Sequence, residues 1–440
     1  MSFRAEHSGK IDLFNLHCAA PEEFPFLLQS VAGHAGSGRY DILFGHPREV
    51  ITAGDRSNFF DDLSRALQSF DRCVEETELP FSGGWFFLLG YEAARYAEPS
   101  LRLPASPYQL PDAIAVRCTA AYIYDHQRQR CHLVAEEGAW QLSMLEKLLQ
   151  NNFNNSLQYI DYKYISVINE EPDQQFLRGV RRIHDYLLAG DIYQVNLSRR
   201  WSAELQQNVS YQNLYGQLRR NNPAPFSGLA VWGKNAILSS SPERLIKVEQ
   251  GWAETRPIAG TRPRSADTRL DAQMLDQLRG NLKERAEHVM LIDLERNDLG
   301  RVCEKGSVEV NELMATESYA HVHHIVSNVR GKLRKNIDCA QALQAVFPGG
   351  TITGCPKVRS MEIIAELEQE GRGPYTGSMG YISNCGRMDS NILIRSLVCE
   401  DGRVSFRTGA GIVADSIPEA ELMETRAKAK GLLLSLGVHA

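Results

Sequence analysis

The run FSGLAVWGKNAILSSSPERLIKVE (226–249) holds two strand-like apolar segments, 226–232 and 235–249, with no helix between them. Just upstream, IYQVNLSRRW (192–201) reads as another strand. Before it, Pro172-Asp173 opens an amphipathic helix with Phe176, Leu177, Val180, Ile183 and Leu187 on one face. Downstream, helical periodicity returns near 280–297, 355–370 and 417–436, with strand-like GSMGYISN (377–384) and SFRTGAGIV (405–413) between. Strands and helices therefore mix without regular βαβ alternation and without a fixed repeat. That predicts an α+β fold and excludes a doubly wound sheet.

The first 150 residues have a different texture: short apolar runs punctuated by Pro and Gly. YDILFGHP (40–47), FSGGWFFLLGYEAARY (81–96) and AIAVRCTAAYIYD (113–125) are the clearest, the last a strand ending at a turn. SLRLPASPYQLPD (100–112), with its three prolines, reads as a loop. Asn151, Asn152, Asn154 and Asn155 mark the linker candidate, with a long surface loop the equal alternative. The chain thus divides into an N-terminal region, 1–155, and a second region, 165–440.

At 440 residues, 43% hydrophobic and 23% charged, the composition is that of a globular protein. A net charge of −6 with no basic stripe argues against nucleic acid. The opening MSFRAEHSGKIDLF lacks the apolar core of a signal peptide, and no run is long enough to span a membrane. The nine cysteines are scattered without a CxxC pair, so neither zinc nor a disulfide framework is indicated, and a cytoplasmic location is expected.

Carboxylates carry the chemical signal. Ser416 and Glu419 have capping-box spacing, with Pro418 in the first turn. On that helix Glu421, Glu424 and Lys428 share one face, an arrangement most often just a solvated ion pair. In NLKERAEHVMLIDLERND (281–298), Glu284, Glu287, His288 and Leu291 form a stripe, with Val289 and Ile292 expected to be buried beside it. Two such helices facing each other could hold a hard dication such as Mg²⁺. PIAGTRPR (257–264), FPGGTITGCPK (347–357) and TGAGIVADS (408–416) are either anion-cradling loops or tight turns; none fits a P-loop or dinucleotide fingerprint. His321, His323 and His324 alternate along a strand-like run, which separates their side chains. Arg395 in NILIRSLV (391–398) is either a carboxylate clamp or a structural ion pair.

Taken with GDIYQVNLSRR (190–200), SSSPERL (239–245), HVHHIVS (321–327), FPGGTITGCPKVRSMEII (347–364), YTGSMGYIS (375–383) and TGAGIVADSIPEAELMET (408–425), these segments resemble the chorismate-binding enzyme family. The resemblance covers 170–440 in order, and the first 150 residues resemble the N-terminal region of the glutamine-linked members. It implies a four-layer α/β/β/α unit with two packed, mainly antiparallel sheets. It also implies chorismate and ammonia as substrates, Mg²⁺ as cofactor and a glutamine amidotransferase subunit as partner.

The resemblance assigns residues as well. Glu287 and Glu424 match the metal ligands, with Glu284 and Glu421 in support; Glu284 stands where many relatives carry Asp. Glu243 matches the general acid and His324 the active-site histidine. Tyr375 and Arg395 match the grip on the enolpyruvyl carboxylate; Gly260, Thr261 and Gly411 offer backbone contacts, and Lys428 lies near the metal. Gln194 stands where isochorismate and salicylate synthases carry a basic Lys, which favours ammonia over water as nucleophile. Ala259, in PIAGT, stands where aminodeoxychorismate synthases carry a nucleophilic Lys and matches the anthranilate branch instead. No segment like LLES, which binds tryptophan in anthranilate synthases, is identified. With GRYDILFGHP (38–47) and FSGGWFFLLGYE (81–92), the balance lies with the aminodeoxychorismate branch, the anthranilate branch next. A raised pKa is expected for Glu243.

Overall fold

The computed structural model describes residues 3–31, 38–54, 57–69, 78–152, 164–265, 267–318 and 322–438. The first strand-like segment forms Phe226–Trp232 and pairs in a hairpin with Asn235–Ser241, while the second segment splits: Arg244–Glu249 breaks away after Pro242 to join a different set of neighbours. The ladder runs from Ile165–Glu170 through Gln194–Leu205, Arg403–Ile412, Ser396–Glu400 and Asn235–Ser241 to Phe226–Trp232. It continues through Phe26–Gln29 and Tyr40–Thr52 to Ala113–Asp125. From there a second ladder passes through Gly84–Leu89, Ser378–Ser383, Met388–Asn391, Arg244–Glu249 and Trp252–Thr255 to Val322–Lys332. Every one of these pairings is antiparallel.

The side chains of Ala113–Asp125 show how one ladder makes two sheets. All thirteen residues are buried. Ile114, Val116 and Cys118 point into the middle core, and Ala113 and Ala115 into an outer one. Beyond Thr119 the even-numbered Ala120, Tyr122 and Tyr124 face the opposite outer core, while Ala121 and Ile123 line the middle. Because strand residues alternate faces, this strand passes from one sheet into the other.

Helices close both outer faces. Phe14, Leu145, Leu214 and Leu432 pack on one side with Leu43 and Phe406; Phe59, Val180, Leu343 and Ile363 pack on the other with Trp85 and Ile246. Phe44, Phe86, Ile237 and Met379 fill the middle layer. The result is the expected four-layer α/β/β/α, mainly antiparallel architecture.

Strands from the first 155 residues lie inside both sheets, Phe26–Gln29 beside Phe226–Trp232 and Gly84–Leu89 beside Ser378–Ser383. Asn151 and Asn152 end the helix Ala139–Asn152, and Asn154 and Asn155 lie outside the described residues.

The four anticipated helices form as Asp173–Leu188, Leu282–Gly300, Lys357–Glu368 and Pro418–Ser435. Two details differ from expectation. Ser416 makes no capping box: Ile417 is the N-cap, and the Ser416 hydroxyl accepts instead from the Val413 amide at 3.1 Å. Pro418 at the first helical position leaves one fewer amide to cap. Val289 is 47% exposed rather than buried, because the apolar stripe of its helix turns toward Leu291 and Ile292.

Candidate active site

Glu243 follows the Ser241-Pro242 break at which the chain changes sheets. Its amide donates to the Ser241 hydroxyl at 3.2 Å, and its carbonyl accepts from the Ile392 amide at 3.0 Å. Ser241 in turn donates to the Ile392 carbonyl at 2.6 Å. The backbone is pinned, and the side chain, 5% exposed, points inward. Its Oε1 is buried without a hydrogen-bond partner among the described residues. Burial pushes this carboxyl up to about 7, against the opposing pull of the Thr351 hydroxyl, the Ile258 backbone and the Lys428 ammonium. The group is therefore a proton donor at near-neutral pH.

Around it the antiparallel ladders bring together residues far apart in sequence. His324 lies on Val322–Lys332, opposite Thr261 and Glu317. Burial, and then the Arg395 cation, lower its pKa to about 4, which makes it a neutral imidazole at pH 7. Arg395 adopts a left-handed backbone, φ 53°, at the turn between Met388–Asn391 and Ser396–Glu400. Among the described residues its guanidinium has no hydrogen bond or ion pair; Tyr375 is the group opposing the lowering of its pKa by burial. A largely buried cation without an anion costs stability unless a ligand supplies the missing charge.

Tyr375 is 7% exposed, and burial raises its phenol to about 12, so it is present as a hydroxyl. A Cβ on Gly409 would lie 2.8 Å from that hydroxyl and 2.6 Å from Asn196 Oδ1, so the floor of the site needs glycine. Gly411, two residues on, is paired with Asn196; a Cβ there would meet Gln194 Nε2 at 2.3 Å. Gln194 and Asn196 are both buried on one face of Gln194–Leu205, and their amide oxygens have no hydrogen-bond partner among the described residues. Asn196 was not anticipated, although its i+2 spacing from Gln194 was the available signal.

The predicted carboxylates sit on two helices. Gly260 has φ 67°, and a Cβ there would meet Glu284 Oε2 at 2.5 Å, which brings Leu282–Gly300 against the 258–263 strand. Glu287 and Glu421 are half-buried. Glu424, on Pro418–Ser435, pairs with Lys428 at 2.6 Å, and Lys428 also donates to the Gly409 carbonyl at 2.9 Å. Lys428 thus joins the carboxylate helix to the glycine floor, and its charge is felt at Glu243. Among the described residues no three His, Cys, Asp or Glu side chains stand together as a ready-made metal cage. The side chains of Ala259 and Thr261 lie outside the described residues, as does His321. His323 turns away to Ser318 at 2.7 Å and Asp271 at 3.0 Å.

The glycine-rich run 347–357 serves as structure. Gly354 and Cys355 pair with Val195 and Gln194, holding the strand that carries the two amides. Arg372, 1% exposed, ties Glu368 at 2.7 Å to the Asn196 carbonyl at 2.7 Å and lies 5.6 Å from the Tyr375 ring.

A family model described as chorismate binding enzyme matches residues 25–434. The chain belongs to the chorismate-binding enzyme family. This chorismate-utilising enzyme is 40% identical to an anthranilate synthase component I-like protein of Synechocystis, over 92% of the chain and 84% of that protein. It is 38% identical to aminodeoxychorismate synthase component 1 of Bacillus subtilis, over 93% of the chain and 92% of that protein. The solved anthranilate synthase component I of Streptococcus pneumoniae superposes with a TM-score of 0.80 at 31% identity, covering 90% of this chain and 92% of that one. Identity alone does not separate the two named activities. No described helix is long and apolar enough to cross a membrane.

A cavity of about 560 Å³ beside the middle layer, lined in part by Leu28, Gln29, Ser30, Phe226 and Tyr381, contains none of the predicted site residues. Its lining corrects one sequence reading. Leu27-Leu28-Gln29-Ser30 differs from LLES at a single position, so a segment of that kind is present after all. One reason for setting aside the anthranilate branch falls with it.

Proposed function

We propose that this chorismate-binding enzyme is the aminating component of an aminodeoxychorismate synthase. It would convert chorismate and ammonia to 4-amino-4-deoxychorismate and water. The observation that carries the reading is the buried Glu243 carboxyl, protonated near neutrality and with an unsatisfied oxygen.

Chorismate has two carboxylates. Arg395 offers one of them an uncompensated guanidinium, with the Tyr375 hydroxyl beside it, and these contacts set the orientation of the ring. As the C4–O bond breaks, Glu243 delivers its proton to the departing hydroxyl, which leaves as water; a proton lost by the incoming nitrogen restores the acid. The buried, unpartnered amide oxygens of Gln194 and Asn196 can accept hydrogen bonds and cannot deprotonate water, which suits ammonia. Ala259 cannot attack the ring, so the C–N bond forms without a covalent enzyme intermediate at that position.

The four glutamates offer only oxygen donors, as magnesium requires. Magnesium is commonly held by one or two carboxylates plus water and substrate oxygens, so it does not need the closed cage that the described residues do not form. Glu287 and Glu424, with Glu284 and Glu421, would hold it, and bound there it would withdraw charge from the ring carboxylate. Ammonia would come from a glutamine amidotransferase subunit, in keeping with relatives named as component 1 of a synthase.

Ala259 and the LLQS segment favour a second reading, anthranilate formation with release of pyruvate. Mass spectrometry after incubation with chorismate, MgCl₂ and an ammonium salt separates the two. A product that keeps the enolpyruvyl group supports the proposal; pyruvate with fluorescent anthranilate replaces it.

A further inference from the structure

Behind Glu243 lies a second group of buried charges that the reaction as described does not use. Glu295 and Asp298, one turn apart on Leu282–Gly300, are 6% and 2% exposed, and Lys357 is 9% exposed. Lys357 Nζ lies 2.5 Å from Asp298 and also donates to the Val346 carbonyl at 3.1 Å. The Gly349–Thr351 turn separates this group from the general acid. A Cβ on Gly350 would strike Leu294 at 2.4 Å and lie 3.5 Å from Glu295 Oε1, while the next residue, Thr351, faces Glu243. The wall between the two carboxyls is therefore a thin glycine turn.

We propose that Glu295 is a positioning residue that keeps Glu243 protonated, its own charge only partly offset by Lys357, which is bonded to Asp298. This rests on the reading of Glu243 as the general acid. Two buried carboxyls and one further carboxylate share a single buried lysine, so full ionisation leaves excess negative charge in a medium that screens it poorly. Each carboxyl then makes ionisation of the other costlier, and the pair titrates as a unit. The other groups facing the cluster are the Thr255 hydroxyl on Glu295, Arg301 and the Cys355 thiol near Asp298, and Lys428 on the far side of Glu243. Burial raises Glu295 to about 7, with Asp298 and Glu243 adding to the rise.

The test is the pH profile of kcat/KM for chorismate with ammonium as nitrogen donor. E295Q keeps the shape and removes the negative charge, so the alkaline limb should move to lower pH. Activity at pH 8 then falls several-fold while activity at pH 6 is kept. K357M removes the cation and should move the same limb to higher pH. Equal losses at all pH values, or shifts of the same sign, overturn the proposal by reducing the cluster to packing. Should K357M fail to fold, E295Q decides alone: a limb at the wild-type pH overturns it. Full turnover by E243Q would instead sink the general-acid reading, an outcome separate from either shift.

Discussion

Lys428 lies 2.6 Å from a carboxylate oxygen of Glu424 and 2.9 Å from the Gly409 carbonyl, linking the C-terminal helix to the glycine floor of the site. A metal drawn to Glu424 must compete with that ammonium. Glu424→Gln is expected to raise the magnesium concentration needed for half-maximal turnover by at least tenfold, and EDTA to abolish turnover of the wild type. Titration of activity with MgCl₂ measures both. Activity that survives EDTA would remove magnesium from the proposal.

Glu243→Gln should lower kcat by about 10²–10⁴-fold, the usual contribution of a general acid. Chorismate affinity, followed by calorimetry, should change little, since the amide is isosteric. Loss of binding in step with turnover would show that the carboxyl only holds substrate.

The same carboxyl makes stability depend on pH. Glu243 rises from 4.5 to about 7 in the folded chain, so between those values the folded state binds more protons than the unfolded one. Stability must therefore fall as pH rises through that window, by on the order of 3 kcal/mol. Melting curves of wild type and Glu243→Gln between pH 4.5 and 7.5 should converge at the acid end and separate at the alkaline end, with the variant higher. Parallel curves would contradict this.

Arg395→Met removes a cation that has no partner among the described residues. A charge-assisted hydrogen bond of about 1.5–3 kcal/mol to a substrate carboxylate would go with it, raising KM for chorismate roughly 10- to 150-fold. The melting temperature should stay level or rise, because a costly buried charge is gone. A fall in melting temperature with KM unchanged would make Arg395 structural.

Arg372 behaves oppositely. It is 1% exposed and bonded to Glu368, itself buried and also bound by Arg407 at 3.2 Å. Arg372→Ala leaves a buried carboxylate half-compensated, and about 3–5 kcal/mol of stability should be lost in urea denaturation.

Local spacing was fully legible in the sequence. An i,i+3 step puts Glu421 and Glu424 on one helical face, because that period is fixed by backbone geometry alone, and the apolar run 113–125 ending at a turn read as a strand. The α+β class followed from the order of such segments. Motif resemblance supplied residue roles that no periodicity could. What pattern could not supply was which face meets what: Val289 looked buried and is exposed, and Ser416 looked like a cap and bonds Val413 instead. Only the tertiary structure showed Ala113–Asp125 passing between sheets, because a period-2 pattern is identical whichever layer lies on each side. The same long-range antiparallel pairing brings Glu243, His324, Tyr375, Arg395 and Gly409 to one place and leaves the Arg395 cation without an anion among the described residues. It also buries Glu295, Asp298 and Lys357, which no sequence pattern singled out, since burial depends on neighbours the local chain does not contain.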